Sequence, residues 1–291
     1  MTAAQLIGLA IQLSMMGVIF CVALHAHFGD VLFLLRKPAL LLRSVASMLV
    51  VMPLLAVGVA IAFDLNPLIE VALIASTLSP VPPILPGRQI KAGGHSPYVI
   101  GLLTVTALVA IVYVPLVAAL VGRVFHRPVD VDYASVARIV AMSMLMPVVA
   151  GMAVRRWAPA VADRIDKPLS RAAMALLVLA LIPVLIQQWP SIAKLFGNFS
   201  LVAIIAFSLV GLAVGHLLGG PDPDDRAVLA LATCARHPAV ALTMTYRNAD
   251  QPGVLAAVLV VLLVASLVSL PYVRWRSQSH DATRASGPSR A

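Results

Sequence analysis

The sequence predicts an all-α polytopic membrane protein with nine transmembrane helices, and three observations predict it. Hydrophobic residues make up 61% of the 291 positions and charged residues only 11%, whereas soluble domains carry about 25% charged residues. Apolar stretches long enough to cross a bilayer, roughly 20 residues each, follow one another from end to end, with basic residues at their ends. Two of these stretches are interrupted at mid-length by residues that cannot sit in one continuous helix.

The expected spans lie at about 4–27, 39–63, 67–92, 97–122, 134–154, 169–189, 199–219, 226–247 and 252–274. The first has no basic leader and no small-residue cleavage site, so it reads as a span rather than a removed signal peptide. Together they form one membrane domain over 1–275. The polar remainder, 276–291, is Ser- and Arg-rich and reads as a disordered cytoplasmic tail, able to touch anionic lipid head groups weakly.

The net charge of +9 does not mark a nucleic-acid binder, because the basic residues cluster at span ends and not on one groove. The odd-numbered loops and the tail hold 15 of the 21 Lys and Arg residues, the even-numbered side holds 5, and Arg236 lies inside a span. The positive-inside rule then puts the N-terminus outside and the C-terminus in the cytoplasm of a plasma (inner) membrane. Cys21 and Cys234 stand singly in apolar stretches, without metal-ligand spacing, and read as small packing residues.

The third span contains Pro80, Pro82, Pro83 and Pro86 followed by Gly87 (SPVPPILPG). Each interior proline removes a backbone bond and clashes with the turn before it. The eighth span carries Arg236, His237 and Pro238 near its centre. In hydrocarbon such breaks persist only where protein or water satisfies the freed groups. The breaks are matched by later prolines: Pro83 precedes Pro115 by 32 positions and Pro238 precedes Pro271 by 33. An odd number of crossings between the broken spans sets them opposite in direction. That pattern predicts an inverted repeat, about 1–124 and 132–275, with the two broken helices crossing at a binding site, as in secondary transporters.

With these features in place, the chain resembles the bile acid:sodium symporter family from about Gly17 to Trp275. GVIFCVALHAHFGDVLFLLRKPALLL looks like that family's helix, amphipathic linker and basic stop. MLVVMPLLAVGVA and LNPLIEVALIASTLSPVPP look like its next helix and first broken helix. The resemblance implies a core domain around the crossing helices and a panel domain supplied by spans 1, 5 and 6, as in nine-span members. It also exposes departures. Sodium-binding members carry a Ser-Asn step in the first broken helix, and those positions here are Leu85 and Pro86. Their Glu in the second falls at Ala232, and their Gln-Asn pair is replaced by Arg236-His237. A Ser of the following helix corresponds to Thr106, with Thr104 nearby. The acidic residues all lie at span ends, in loops or in the tail, so a two-sodium mechanism is disfavoured. Helix carbonyls freed by prolines are what keeps sodium open. No other metal or cofactor is implied.

Arg236 is the sharpest signal, because a mid-span arginine costs at least about 2.5–3.5 kcal/mol to insert and faces the protein interior. It is expected to occupy the space of a lost sodium, cap carbonyls opened by Pro238, and attract a negatively charged substrate. The alternative is a purely structural arginine tied to the break. His237 either carries a proton or, neutral, bonds the broken backbone. Thr104, Thr106 and Thr233 are expected to line the cavity, although a membrane threonine often only satisfies its own helix. Arg88 and Lys91 are expected at the cytoplasmic mouth.

The chain has no P-loop, GxSxG or HExxH, and no catalytic pair at mid-membrane, so it is not expected to be an enzyme. The reading is a secondary transporter of small organic anions working by alternating access, with the lipid bilayer and the anion as partners and the oligomeric state open. The alternatives are a non-transporting ligand receptor or scaffold, a symporter that holds sodium on backbone carbonyls, and a passive channel.

Overall fold

The computed structural model describes residues 2–125, 131–195, 199–246 and 253–286. Among them every element of regular secondary structure is a helix. Seven helices are long and apolar enough to cross a membrane: α1 (Ala3–Ala23), α3 (Pro38–Ala62), α6 (Ser96–Val124), α7 (Tyr133–Trp157), α8 (Pro159–Leu195), α9 (Ser200–Leu218) and α12 (Val254–Ser286). A short α2 (Phe28–Val31) lies between α1 and α3. The two spans expected to be broken are each a pair of shorter helices: α4 (Pro67–Leu78) with α5 (Leu85–Lys91), and α10 (Pro223–Cys234) with α11 (Pro238–Tyr246).

Proline position explains which helices break. Pro168, Pro183 and Pro190 sit well apart inside α8, which continues through all three. Pro80, Pro82 and Pro83 fall within about one turn of what would be one helix, and there the chain leaves helical geometry from Ser79 onward. Pro86 lies in the first turn of α5 and Pro238 opens α11, where a missing N–H loses no intrahelical bond.

A second device was not anticipated from the sequence. Within α3, residues Ala46–Val51 widen into a π-helix, and within α7, Ala141–Leu145 do the same. Each wide turn directly precedes a Met-Pro pair, Met52-Pro53 and Met146-Pro147. A proline cannot donate to the turn before it and presses on its carbonyls, and a π turn relieves the clash by widening the ring.

The helices pack in two groups. α1 lies against α7 and α8, brought close by glycine: a Cβ on Gly151 would meet Phe20 O at 2.6 Å, and one on Gly17 would meet Ala173 Cβ at 3.0 Å. Arg155 ties this group at one end, donating to Leu24 O and pairing with Asp163 at 2.8 Å. In the second group α9 packs along α10, and both broken pairs pack against α12. Gly211, Gly215 and Gly219 form the seam between α9 and α10; a Cβ on Gly215 would lie 2.5 Å from Ala230 Cα, and one on Gly219 would lie 2.4 Å from Arg226 Cα. Small residues let helix backbones approach in lipid, where dispersion rather than the hydrophobic effect drives association.

Two expectations change. The sixth span is longer than 169–189, because its helix runs from Pro159 to Leu195. The segment after residue 275 is helical as far as Ser286, in place of the disordered tail read from its composition; residues 287–291 lie outside the described set. Its order has a physical cause. Arg276 donates to Pro223 O at 2.8 Å and pairs with Asp224 at 3.1 Å, so the C-terminal helix is anchored to the start of α10. His95 approaches Asp225 at 3.3 Å in the same cluster. Burial holds the Asp225 carboxyl above the usual carboxylate range, with the His95 hydrogen bond opposing it.

The glycine seam yields a stability prediction. Gly215→Val should separate α9 from α10 and lower stability by about 1–3 kcal/mol, the usual cost of overpacking. Thermal unfolding in detergent checks this; an unchanged Tm would show that the seam has slack.

Candidate functional site

The two breaks touch. The His237 N–H donates to Pro80 O at 2.9 Å, so the non-helical residues of one broken pair satisfy the other. On one side α11 packs against α4, and on the other α10 packs against α5, where Gln89 Nε2 donates to Val228 O at 2.8 Å. The pairs therefore meet in opposite order, each half-helix contacting the opposite half of its counterpart.

Both π-helices converge on the second break. Pro53 has no N–H to give to Leu49 in α register or to Met48 in π register. Those two carbonyls are the ones that side chains reach: Arg236 Nη2 donates to Met48 O at 2.9 Å, and the Tyr113 hydroxyl donates to Leu49 O. Ser47 and Thr233 share a hydrogen bond of 2.6 Å. From the other π-helix, Ser143 Oγ lies 3.3 Å from His237 Nε2 and 2.7 Å from Ile139 O. Since Ser143 gives its proton to Ile139 O, His237 Nε2 is the donor to Ser143; Nδ1 has no partner among the described residues. The carbonyl that Arg236 caps is thus released by Pro53 on α3 and not, as the sequence suggested, by Pro238.

Arg236 is 7% exposed and His237 fully buried. The Nε and Nη1 atoms of Arg236 have no hydrogen-bond partner among the described residues. Arg236 lines a cavity of about 20 Å³ with Ser76, Thr77, Ser208 and Thr233 on its polar side and Phe207 and Val258 on its apolar side. No carboxylate is among the lining residues.

Of the residues singled out in the sequence, the structure brings Arg236, Thr233 and Pro238 to this cavity and His237 next to it. Thr104 and Thr106 are buried on α6 away from the lining. Thr106 donates to Leu102 O of its own helix at 2.8 Å, and Thr104 Oγ1 has no partner among the described residues. Arg88, half-buried, reaches Ser266 O and Ser269 Oγ on α12 at 3.3 and 3.4 Å. Ser47, Tyr113, Ser143, Ser76, Thr77 and Ser208 were missed. The signal that could have found Tyr113 is the first Met-Pro step, since Pro53 in a span releases a carbonyl that needs a donor; Ser47 and Ser143 lie in the wide turns that precede the two Met-Pro steps.

Fold and site together define a multi-pass α-helical membrane protein built around two interrupted helices that meet at a buried cation. The model of the family described as Sodium Bile acid symporter family matches residues 10–195, more than half of the chain, and the protein belongs to that family. Members of the family are transporters. Comparison with curated proteins finds no match.

The Ser47–Thr233 bond can be tested by a double-mutant cycle. Thr233→Val alone strands the Ser47 hydroxyl and should cost about 1 kcal/mol, within the range measured for such bonds in membrane proteins. Adding Ser47→Ala should recover part of that loss. Strict additivity would mean that the pair does not join α3 to α10.

Proposed function

We propose that the protein is a secondary transporter of small organic anions. It works by alternating access between a core domain built on the two broken pairs and a panel of α1, α7 and α8. In this reading each broken pair is one crossing of nine, the halves form an inverted repeat of about 1–124 and 132–275, and the N-terminus faces outward from a plasma (inner) membrane. The observation that carries it is Arg236, buried where the breaks touch, with two guanidinium nitrogens that have no partner among the described residues, beside a cavity. A guanidinium in a low-dielectric site is a strong anion contact, and its planar fork suits a carboxylate. The mobile element is the packing of panel against core, because a cavity of about 20 Å³ holds about one water and must open to admit an organic molecule.

The residues present do not fit a side-chain sodium site. Leu85 and Ala232 are buried and apolar, and Thr106 donates its proton to its own helix. Met48 O and Leu49 O, two carbonyls released in this region, are already occupied by Arg236 and Tyr113. We therefore read the transport as independent of a bound sodium, with Arg236 supplying the positive charge.

Uptake of labelled small organic anions into proteoliposomes tests the proposal. The parent should take up at least one of them. Arg236→Gln, where it folds with a parent-like Tm, should bind that anion roughly 10–100-fold more weakly, the loss expected for a hydrogen bond to a charged group. Arg236→Lys, which keeps the charge without the fork, should fall between. Folded variants that bind as tightly as the parent would remove Arg236 from the site.

A further inference from the structure

We propose that the Arg236 cavity holds a single small inorganic anion, chloride, whenever the organic substrate is absent. The inference rests on the reading of Arg236 as the anion contact of the transport site and adds an occupant that the transport reading does not require.

Charge comes first. Arginine stays protonated even when buried, and a buried charge without a counter-charge costs several kcal/mol. Arg236 is 93% buried, the complement of its 7% exposure. Its protein partner is Met48 O, and a carbonyl supplies a dipole but no net charge. Among the described residues no carboxylate pairs with Arg236, and the cavity it lines is bounded by hydroxyls, a thiol and apolar side chains. Among the described residues nothing supplies that negative charge, which leaves solution as its source.

Hydrogen bonding points the same way. Nε and Nη1 have no partner among the described residues, so N–H donors are left for an external acceptor. A water molecule could accept from one of them but would neutralise nothing.

Size then selects the anion. The cavity measures about 20 Å³, room for about one water-sized occupant. A carboxylated organic molecule does not fit this conformation; a monatomic halide does. The wall does not oppose a halide either. Thr77 and Ser208 donate their protons to Ile74 O and Ile204 O of their own helices, which leaves Ser76 and Thr233 as small polar groups, while Val258, Val261 and Leu262 keep the rest apolar, and a low local dielectric strengthens the pairing with the guanidinium. The halide and the substrate's carboxylate would compete for one guanidinium, and binding of one would exclude the other.

Purified protein in gluconate buffer, titrated with chloride at fixed ionic strength, gives the test. The parent should show a saturable rise in Tm of a few degrees, and the rise should disappear in Arg236→Gln. Equal parent stability in chloride and gluconate would overturn the proposal. Because Arg236→Gln could fail to fold, a bromide-soaked crystal of the parent supplies a second readout. An anomalous peak within hydrogen-bonding reach of Arg236 supports the site, and its absence overturns it. Organic-anion uptake in chloride-free medium separates the two readings. Uptake with no halide binding sinks the ion and keeps the transporter; a bromide peak without uptake of any anion keeps the ion and sinks the transporter.

Discussion

The hydrogen bond from the His237 N–H to Pro80 O is the contact on which the centre of this molecule depends. In hydrocarbon an unpaired peptide group costs several kcal/mol, so a span can be interrupted only where something else pairs the released groups. Here two interruptions pair each other. Once they meet, the surrounding helices are constrained to bring donors and acceptors to the same place. α3 and α7 do so with π turns ahead of Pro53 and Pro147, offering Met48 O, Leu49 O, Ser47 and Ser143 to the second break and to Tyr113. The polar centre of an otherwise apolar protein is thus the sum of bonds that prolines removed.

Arg236 fits this arrangement in a way that a dissolved cation would not. A sodium ion can bind, help to hold an anion, and leave on the other side, and its gradient can drive the cycle. A guanidinium covalently attached to the chain cannot leave. It can lower the cost of bringing a negative charge to mid-membrane, but it cannot by itself couple that movement to an ion gradient. If Arg236 has taken over the role of the cation, the driving force comes from the anion's own gradient, from exchange of one anion for another, or from a separate ion. Exchange is the simplest of these, because leaving Arg236 without any anion restores the full cost of an unpaired buried charge.

Much of this was legible in the sequence, and the part that was not has a common cause. The apolar stretches, the basic span ends and the clustered Pro80, Pro82 and Pro83 are local features, and they located the helices and the first interruption. Arg236-His237-Pro238 located the second, because a charge in mid-span has no local explanation. The π-helices were not read, since the pattern of apolar residues is the same whether a turn holds 3.6 residues or one more; only the Met-Pro steps hinted at them. The partner of Arg236 could not be read either, because Met48 contributes a backbone carbonyl, and any residue type would offer the same atom. Thr106 stood out because it corresponds to a Ser of the family, with Thr104 nearby, yet neither is among the residues that line the cavity, and Thr106 gives its proton to its own helix. For residues 276–286, a polar composition suggested disorder, and the contacts of Arg276 with the start of α10 explain the helix found there.

The most direct measurement of the central claim is uptake of a transported organic anion into proteoliposomes, compared under an inward sodium gradient and with choline replacing sodium at equal chloride. A buried arginine that has replaced the cation predicts equal initial rates in the two media. A steep, saturable dependence on sodium would contradict the account and would return the role of Arg236 to holding α3 against the broken helix.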